Sequence, residues 1–110
     1  MDLKELASNL GLEDDEFYEL VELFISTAGA DLEKLENAYN NREAKDASRA
    51  AHSLKGSSAN LGFIDLSAIA KKAEELAMNK DLETIGSLVG KLKEKLAVIE
   101  KKLEESGYKS

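Results

Sequence analysis

The sequence predicts an all-α fold, an antiparallel up-down-up-down bundle of four helices with a short extra helix at the N terminus. Proline is absent, and alanine, leucine, glutamate and lysine dominate, which favours helix. Apolar residues recur at helical spacing along most of the chain. Short predicted connections require consecutive helices to run antiparallel. We expect a single domain over residues 1–110, with the bundle core at about 14–105 and a loose tail at 106–110.

The first forty residues predict one short and one long helix. The short helix ends at Gly11, a residue suited to a left-handed cap, and its apolar positions are Leu3, Leu6, Ala7 and Leu10. Asp14 is the expected N-cap of the second helix, which Gly29 interrupts and which ends at Asn40 and Asn41. The inward face of this helix is predicted to carry Phe17, Leu20, Val21, Phe24, Ala28, Leu32, Leu35 and Tyr39.

Three further helices follow. The third spans about 43–61 and ends before Gly62, with Ala47, Ala51, Leu54, Ser58 and Leu61 inward. The fourth runs from near Asp65 to Asn79 and Lys80, with Leu66, Ile69, Ala70, Ala73 and Ala77 inward. The fifth covers about 81–105 and carries the heptad stripe Leu82, Ile85, Val89, Leu92, Leu96, Ile99 and Leu103. That stripe also fits a coiled-coil dimer, but three other amphipathic helices can cover it within one chain, which favours a monomer.

The amino-acid composition excludes several classes of function. A net charge of −7 without a basic cluster argues against nucleic acid as a partner. No apolar run approaches the ~20 residues that span a bilayer, and the first residues lack a signal-peptide layout, so we expect a cytoplasmic protein without a membrane partner. Cysteine is absent, which excludes disulfides and thiol catalysis, and a single histidine cannot build the metal sites that helical bundles host.

That single histidine, His52, is the strongest functional candidate. At 100° per residue it points roughly 140° away from the inward direction of the third helix, so it should face outward. Gly56 lies one turn later, where a mid-helix glycine costs ~1 kcal/mol relative to alanine and opens space for a second protein to reach the ring. An inert surface histidine, with Gly56 admitting a neighbouring helix, is the alternative.

Two charged residues are expected beside this histidine. Lys55 lies one turn from His52 on the same side, where its ammonium group could neutralise phosphate on the ring. Glu74 lies about as far after the turn at 61–64 as His52 lies before it, so the two should sit at the same height on adjacent helices. Glu74 could then accept a hydrogen bond from Nδ1–H and leave Nε2 facing solvent. Ordinary surface roles for both residues remain open.

The run Ala51-His52-Ser53-Leu54-Lys55-Gly56-Ser57-Ser58-Ala59-Asn60-Leu61-Gly62 closely resembles the signature of histidine-containing phosphotransfer (HPt) domains. It is also similar to the phosphotransfer domain of chemotaxis histidine kinases, and the likeness extends from about Asp14 to Leu103. The resemblance implies that His52 is the phosphoacceptor, that Lys55 lies beside the phosphoryl group and that Gly56 gives the partner access. It also implies that Glu74 bonds Nδ1, in the manner of the chemotaxis kinases.

The resemblance further implies a phosphorelay phosphocarrier, not an enzyme with its own ATP site. His52 would accept a phosphoryl group from a receiver-domain aspartate of a hybrid sensor kinase and pass it to a response-regulator aspartate. No cofactor is expected in this chain, because the receiver domain would supply Mg²⁺. Ala59, Ile25 and Gly29 are the candidate docking residues. Two alternatives remain: a substrate domain of a chemotaxis-type kinase, which the polar tail disfavours, and a non-catalytic helical adaptor or coiled-coil dimer.

Overall fold

The computed structural model describes residues 2–109 and contains five α-helices. They are α1 (Leu3–Asn9), α2 (Asp14–Asn40), α3 (Ala44–Asn60), α4 (Ile64–Met78) and α5 (Ile85–Glu105). No strand occurs in residues 2–109. The predicted all-α class is confirmed.

Glycines in left-handed conformation end two of the helices. Gly11 follows α1 with φ +71° and Gly62 follows α3 with φ +86°. A Cβ at Gly62 would lie 3.1 Å from Cδ2 of Leu6, so the residue also lets α1 pack on the α3–α4 turn. Both sequence-predicted helix ends are therefore correct.

The long helices form a closed ring around one core. α2 packs against α3 and α5, and α4 packs against the same two helices, while α1 packs on α2. Fully buried side chains from all four long helices meet in the centre, including Phe17, Leu54, Leu66 and Ile99. The heptad stripe of α5 is buried within this helical bundle, where the three other long helices cover it.

Three local predictions were wrong. The N-cap of α2 is Glu13, because its backbone N–H bonds Oε1 of Glu16 at 3.0 Å and Asp14 is already helical. Gly29 does not interrupt α2, since one glycine removes no backbone hydrogen bond from the ladder. Leu20 is 40% exposed, because it lies at the edge of the inward face that Phe17, Val21 and Phe24 occupy.

The start of α5 was also predicted too early. Lys80 adopts a left-handed conformation with φ +60°, and the backbone N–H of Asp81 donates to the carbonyl of Leu76 at 2.8 Å. These contacts end α4. Asp81 therefore cannot begin the next helix, and α5 starts at Ile85.

The C-terminal segment predicted as a loose tail contains one packed residue. The rings of Tyr108 and Tyr18 pack in a T-shaped arrangement, with the ring centroids 6.0 Å apart. Ser110, the last residue of that prediction, lies outside the described residues. Among residues 2–109, no helix has the length and apolarity needed to cross a membrane.

Candidate functional site

The folding of α3 exposes the imidazole of His52. Ala47, Ala51 and Leu54 are buried, which turns the opposite face of the helix outward. The side chain of His52 is 68% exposed as a result. The predicted outward orientation is correct.

Glu74 of α4 meets the ring of His52 from the adjacent helix. Its Oε2 lies 2.7 Å from Nδ1 of His52, and its side chain is only 14% exposed. An ionised carboxylate can only accept, so the proton of this hydrogen bond belongs to Nδ1. The Nε2 atom is therefore the ring nitrogen that faces away from Glu74.

Lys55 binds the second oxygen of the same carboxylate. Its Nζ donates to Oε1 of Glu74 at 2.7 Å. The Lys55 hydrogen bond is the largest cause of a lowered pKa for Glu74; partial burial opposes it, and the His52 bond adds to it. Glu74 thus stays ionised near neutral pH and joins α3 to α4 through two charge-assisted hydrogen bonds.

Gly56 leaves open space next to the histidine. A Cβ built at this position would meet no atom within 4 Å, and the residue is exposed. No neighbouring helix uses the space that the glycine provides. Gly56 therefore does not serve helix packing, which was the alternative interpretation of this residue.

The three candidate docking residues lie in two different places. Ala59 is exposed on α3, two turns after His52. Ile25 and Gly29 line grooves between α2 and α5, whereas His52 bonds to α4. The structure thus does not bring Ile25 and Gly29 together with the histidine.

Two serines near the site were missed by sequence reasoning. Ser53 donates to Oδ2 of Asp31 on α2 at 2.8 Å, and Ser67 of α4 donates to the backbone carbonyl of Lys55 at 3.0 Å. Ser67 precedes Glu74 by two turns, so the shared face of α4 was a signal that could have identified it. These bonds hold the segment of α3 around His52 from both sides.

The described residues contain no group of three or more histidine, cysteine or acidic side chains arranged to hold a metal ion. Beside the ring, Lys55 is the cation and Glu74 the carboxylate. This arrangement suits a nucleophilic nitrogen with a fixed neighbouring charge.

The chain resembles known proteins over most of its length. The Hpt domain family model matches residues 19–102, more than half of the chain. The structure is similar to a crystal structure of histidine-containing phosphotransfer protein B (HptB) from Pseudomonas aeruginosa PAO1, with 26% sequence identity and a TM-score of 0.84. That match covers 94% of this chain and 92% of the other. None of the curated proteins matches the chain.

The fold and the site therefore define a histidine phosphotransfer module of two-component signalling. The chain belongs to the Hpt domain family. Members of this family are phosphocarriers that interact with receiver domains.

Proposed function

We propose that this chain is a phosphorelay phosphocarrier whose phosphoacceptor is Nε2 of His52. It takes the phosphoryl group from a receiver-domain aspartate of a hybrid sensor kinase and delivers it to the aspartate of a response regulator. The main support is the 2.7 Å contact between Nδ1 and Glu74, which engages one ring nitrogen and leaves the other free on an exposed ring.

The transfer step needs no added base. The lone pair of Nε2 attacks phosphorus, the P–O bond to the receiver aspartate breaks, and the bonding electrons leave with the aspartate as a carboxylate. The ring keeps its proton on Nδ1 and becomes cationic, which strengthens its hydrogen bond to the Glu74 carboxylate. The same steps in reverse load the response regulator.

Lys55 is the residue we assign to charge neutralisation. Its Nζ is held 2.7 Å from Glu74, and its side chain is 31% exposed, so the ammonium group lies close to the ring without being sealed from it. When three phosphoryl oxygens arrive at Nε2, Lys55 can turn towards them because His52 still satisfies Glu74. Transfer through a loose, metaphosphate-like state depends mostly on such charge placement.

The partner is expected to supply the rest of the chemistry. A receiver domain brings the acyl phosphate and its Mg²⁺, and this chain brings the nucleophile and the docking surface. We therefore assign no cofactor, no metal and no ATP site to it, and class it as a carrier, not an enzyme.

We also infer the finer architecture. The connections at 41–43 and 61–63 are three residues each, which reverses the chain direction between α2, α3 and α4 and supports an antiparallel up-down-up-down arrangement. The apolar stripe of α5 is buried against its own bundle, which supports a monomer over a coiled-coil dimer. We treat residues 1–110 as one domain that acts in the cytoplasm.

Two labelling reactions test the proposal. The protein is incubated with a phosphorylated receiver domain, and separately with a histidine kinase and ATP. We expect acid-labile, alkali-stable label from the receiver and none in His52→Gln. Label from the kinase and ATP alone would support the chemotaxis-type substrate domain, and absence of label from every donor would support the adaptor.

A further inference from the structure

A groove at one end of the bundle exposes apolar side chains. It lies between α1, the start of α4 and the second half of α5, and its volume is about 400 Å³. Leu66 and Ile99, which are buried, line its interior. Ile64 and Val98 also line it, and they are 75% and 46% exposed. Apolar surface that stays exposed in this way marks a candidate interaction site, which we call the α1/α4/α5 groove.

The groove and the phosphoacceptor lie on opposite sides of α4. Asp65 lines the groove and faces α5, where its Oδ2 lies 3.8 Å from Nζ of Lys95. Glu74 faces α3 instead, where it bonds to His52. The step from Asp65 to Glu74 is about 14 Å along the helix axis and, at 100° per residue, half a turn around it. A partner bound in the groove therefore leaves His52 open.

Most of the charged side chains that line the groove are acidic. Asp2 and Glu5 come from α1, and Asp65 comes from α4. In the described part of the chain, Lys95 is the one cation that lines the groove, and it pairs with Asp65. All four side chains are exposed, so they form a polar rim around the apolar interior. A protein–protein interface has the same anatomy, with an apolar centre and a polar rim.

The chemistry of the groove favours one kind of occupant. Its polar side chains are exposed at the rim, and none is placed inside to orient a small ligand. An anionic membrane surface and a nucleic acid would both be repelled by the acidic rim. A second copy docked through the same surface would bring two acidic rims together. An apolar segment with positive charges beside it fits both the interior and the rim.

We propose that the α1/α4/α5 groove binds a basic amphipathic helix of a partner protein, on the side of α4 away from His52. Such a helix presents an apolar stripe in one rigid segment, and that stripe covers Ile64 and Val98 and enters the groove. Lysine or arginine residues beside the stripe meet the carboxylates of the rim, and the complementary charge sets the orientation. The surface is separate from the one at His52, so the proposal goes beyond the phosphocarrier function and does not depend on it.

A synthetic peptide tests the groove directly. The probe is a fluorescent peptide of about 18 residues, long enough to form a helix, with leucines along one face and lysines elsewhere. Its dissociation constant is measured by fluorescence anisotropy, and changes in amide NMR shifts locate its binding site. We expect these changes at the groove, and about tenfold weaker binding to the double variant Ile64→Ser/Val98→Ser. The same peptide with glutamate in place of lysine should not bind.

An acidic patch on α2 supplies the matched control. Leu20 and Leu23 are 40% and 61% exposed there and line a shallow depression. Every residue that lines this depression lies on α2 and none of them is buried, so it has no apolar interior to receive a side chain. Leu20→Ser/Leu23→Ser should therefore bind the lysine peptide as tightly as the unaltered protein does.

Neutralisation of the rim is the second test. Glu5→Gln/Asp65→Asn should weaken binding of the lysine peptide severalfold and make it less dependent on salt, because fewer carboxylates attract the peptide. Glu19→Gln/Glu22→Gln, which removes two carboxylates from the patch on α2, is the control and should have a smaller effect on both properties. Equal effects in the two variants would show that the rim does not recognise the peptide.

Several results would overturn the proposal. They are NMR shift changes centred on α2, unweakened binding by Ile64→Ser/Val98→Ser, and no binding of the lysine peptide at all. A dimer of the unaltered protein that this variant separates in sedimentation would assign the groove to a second copy instead.

Phosphorylation of His52 distinguishes the groove from the receiver's own surface. Transfer from a phosphorylated receiver domain, and from phosphoramidate, a small donor that needs no docking surface, should be unchanged in Ile64→Ser/Val98→Ser. Slower transfer from the receiver alone would make the groove part of the receiver's surface and overturn the proposal. Peptide binding needs no phosphorylation, so its result is independent of the proposed phosphocarrier function.

Discussion

Ser67 on α4 and Lys55 on α3 are joined by a hydrogen bond from the Ser67 hydroxyl to the Lys55 backbone carbonyl, with a donor–acceptor distance of 3.0 Å. Two turns further along α4, Glu74 reaches the side chains of His52 and Lys55. The serine thus ties the two helices together below the site and fixes the height at which Glu74 meets the imidazole.

Ser67→Ala should therefore impair the site indirectly, by loosening the attachment of α4 to α3. Loss of this bond is expected to lower the free energy of unfolding by about 0.5–1.5 kcal/mol and to slow phosphorylation of His52 by phosphoramidate. Ser87→Ala is the control, since the Ser87 hydroxyl donates within its own segment, to the carbonyl of Thr84 at 2.9 Å. A loading rate in Ser67→Ala equal to that of the control would show that the bond does not position Glu74.

Gly56 should lower the stability of the fold and give the partner access to His52. Because a Cβ at this position would meet no atom within 4 Å, Gly56→Ala is expected to raise the free energy of unfolding by about 0.5–1 kcal/mol. Gly56→Leu should slow transfer from a receiver domain more than tenfold, because its side chain overhangs the approach to His52, while phosphoramidate loading continues.

Gly90 on α5 provides the control for this prediction. A Cβ there also meets no atom within 4 Å, so Gly90→Ala should give the same gain in stability, and Gly90→Leu should leave receiver transfer unchanged. Unimpaired transfer in Gly56→Leu would mean that the partner does not approach over Gly56.

Glu74 should affect the rate of His52 phosphorylation through its hydrogen bond to Nδ1. Glu74→Ala removes the acceptor for Nδ1–H, and we expect phosphorylation of His52 to fall by about tenfold or more, the worth of one hydrogen bond to a charged group. Glu74→Gln keeps an acceptor oxygen and should retain most of the rate. Proton and nitrogen NMR shows whether Nδ1 keeps its proton. An unchanged tautomer in Glu74→Ala would contradict this role.

The lowered pKa of Glu74 predicts how stability depends on pH. A carboxyl whose pKa is lower in the folded than in the unfolded state stabilises the fold above its ordinary value of 4.5, and this stabilisation is lost as pH falls through the folded pKa. Denaturation by urea at several pH values should therefore show a steeper acid loss in the unaltered protein than in Glu74→Gln. Glu94→Gln, at an exposed position on α5, should behave like the unaltered protein; identical slopes in all three would contradict the prediction.

The sequence was informative where a single residue determines a local outcome. Gly11 and Gly62 end helices because they adopt positive φ, and buried Ala51 and Leu54 force the neighbouring His52 outward. The position of Glu74 beside the histidine was predictable because α3 and α4 are joined by one short turn. Counting residues outward from that turn along both helices gives the residues that lie at the same height.

Sequence reasoning failed where contacts between distant segments decide the outcome. Tyr18 is buried although the apolar pattern did not predict it, because Tyr108 packs against its ring. The bond from Ser67 to Lys55 depends on the exact height of α4 against α3, which residue counting cannot fix to one position. Ile25 and Gly29 are at suitable heights on α2, but they face α5.

The most direct test of the central claim is to locate the phosphoryl group on the ring. The sequence contains one histidine, so a nitrogen-15-labelled sample shows a single imidazole in long-range proton–nitrogen correlation spectra. After incubation with a phosphorylated receiver domain, we expect phosphorus on Nε2 and the proton still on Nδ1, bonded to Glu74. Phosphorus on Nδ1, or an unmodified ring in a labelled protein, would contradict the account.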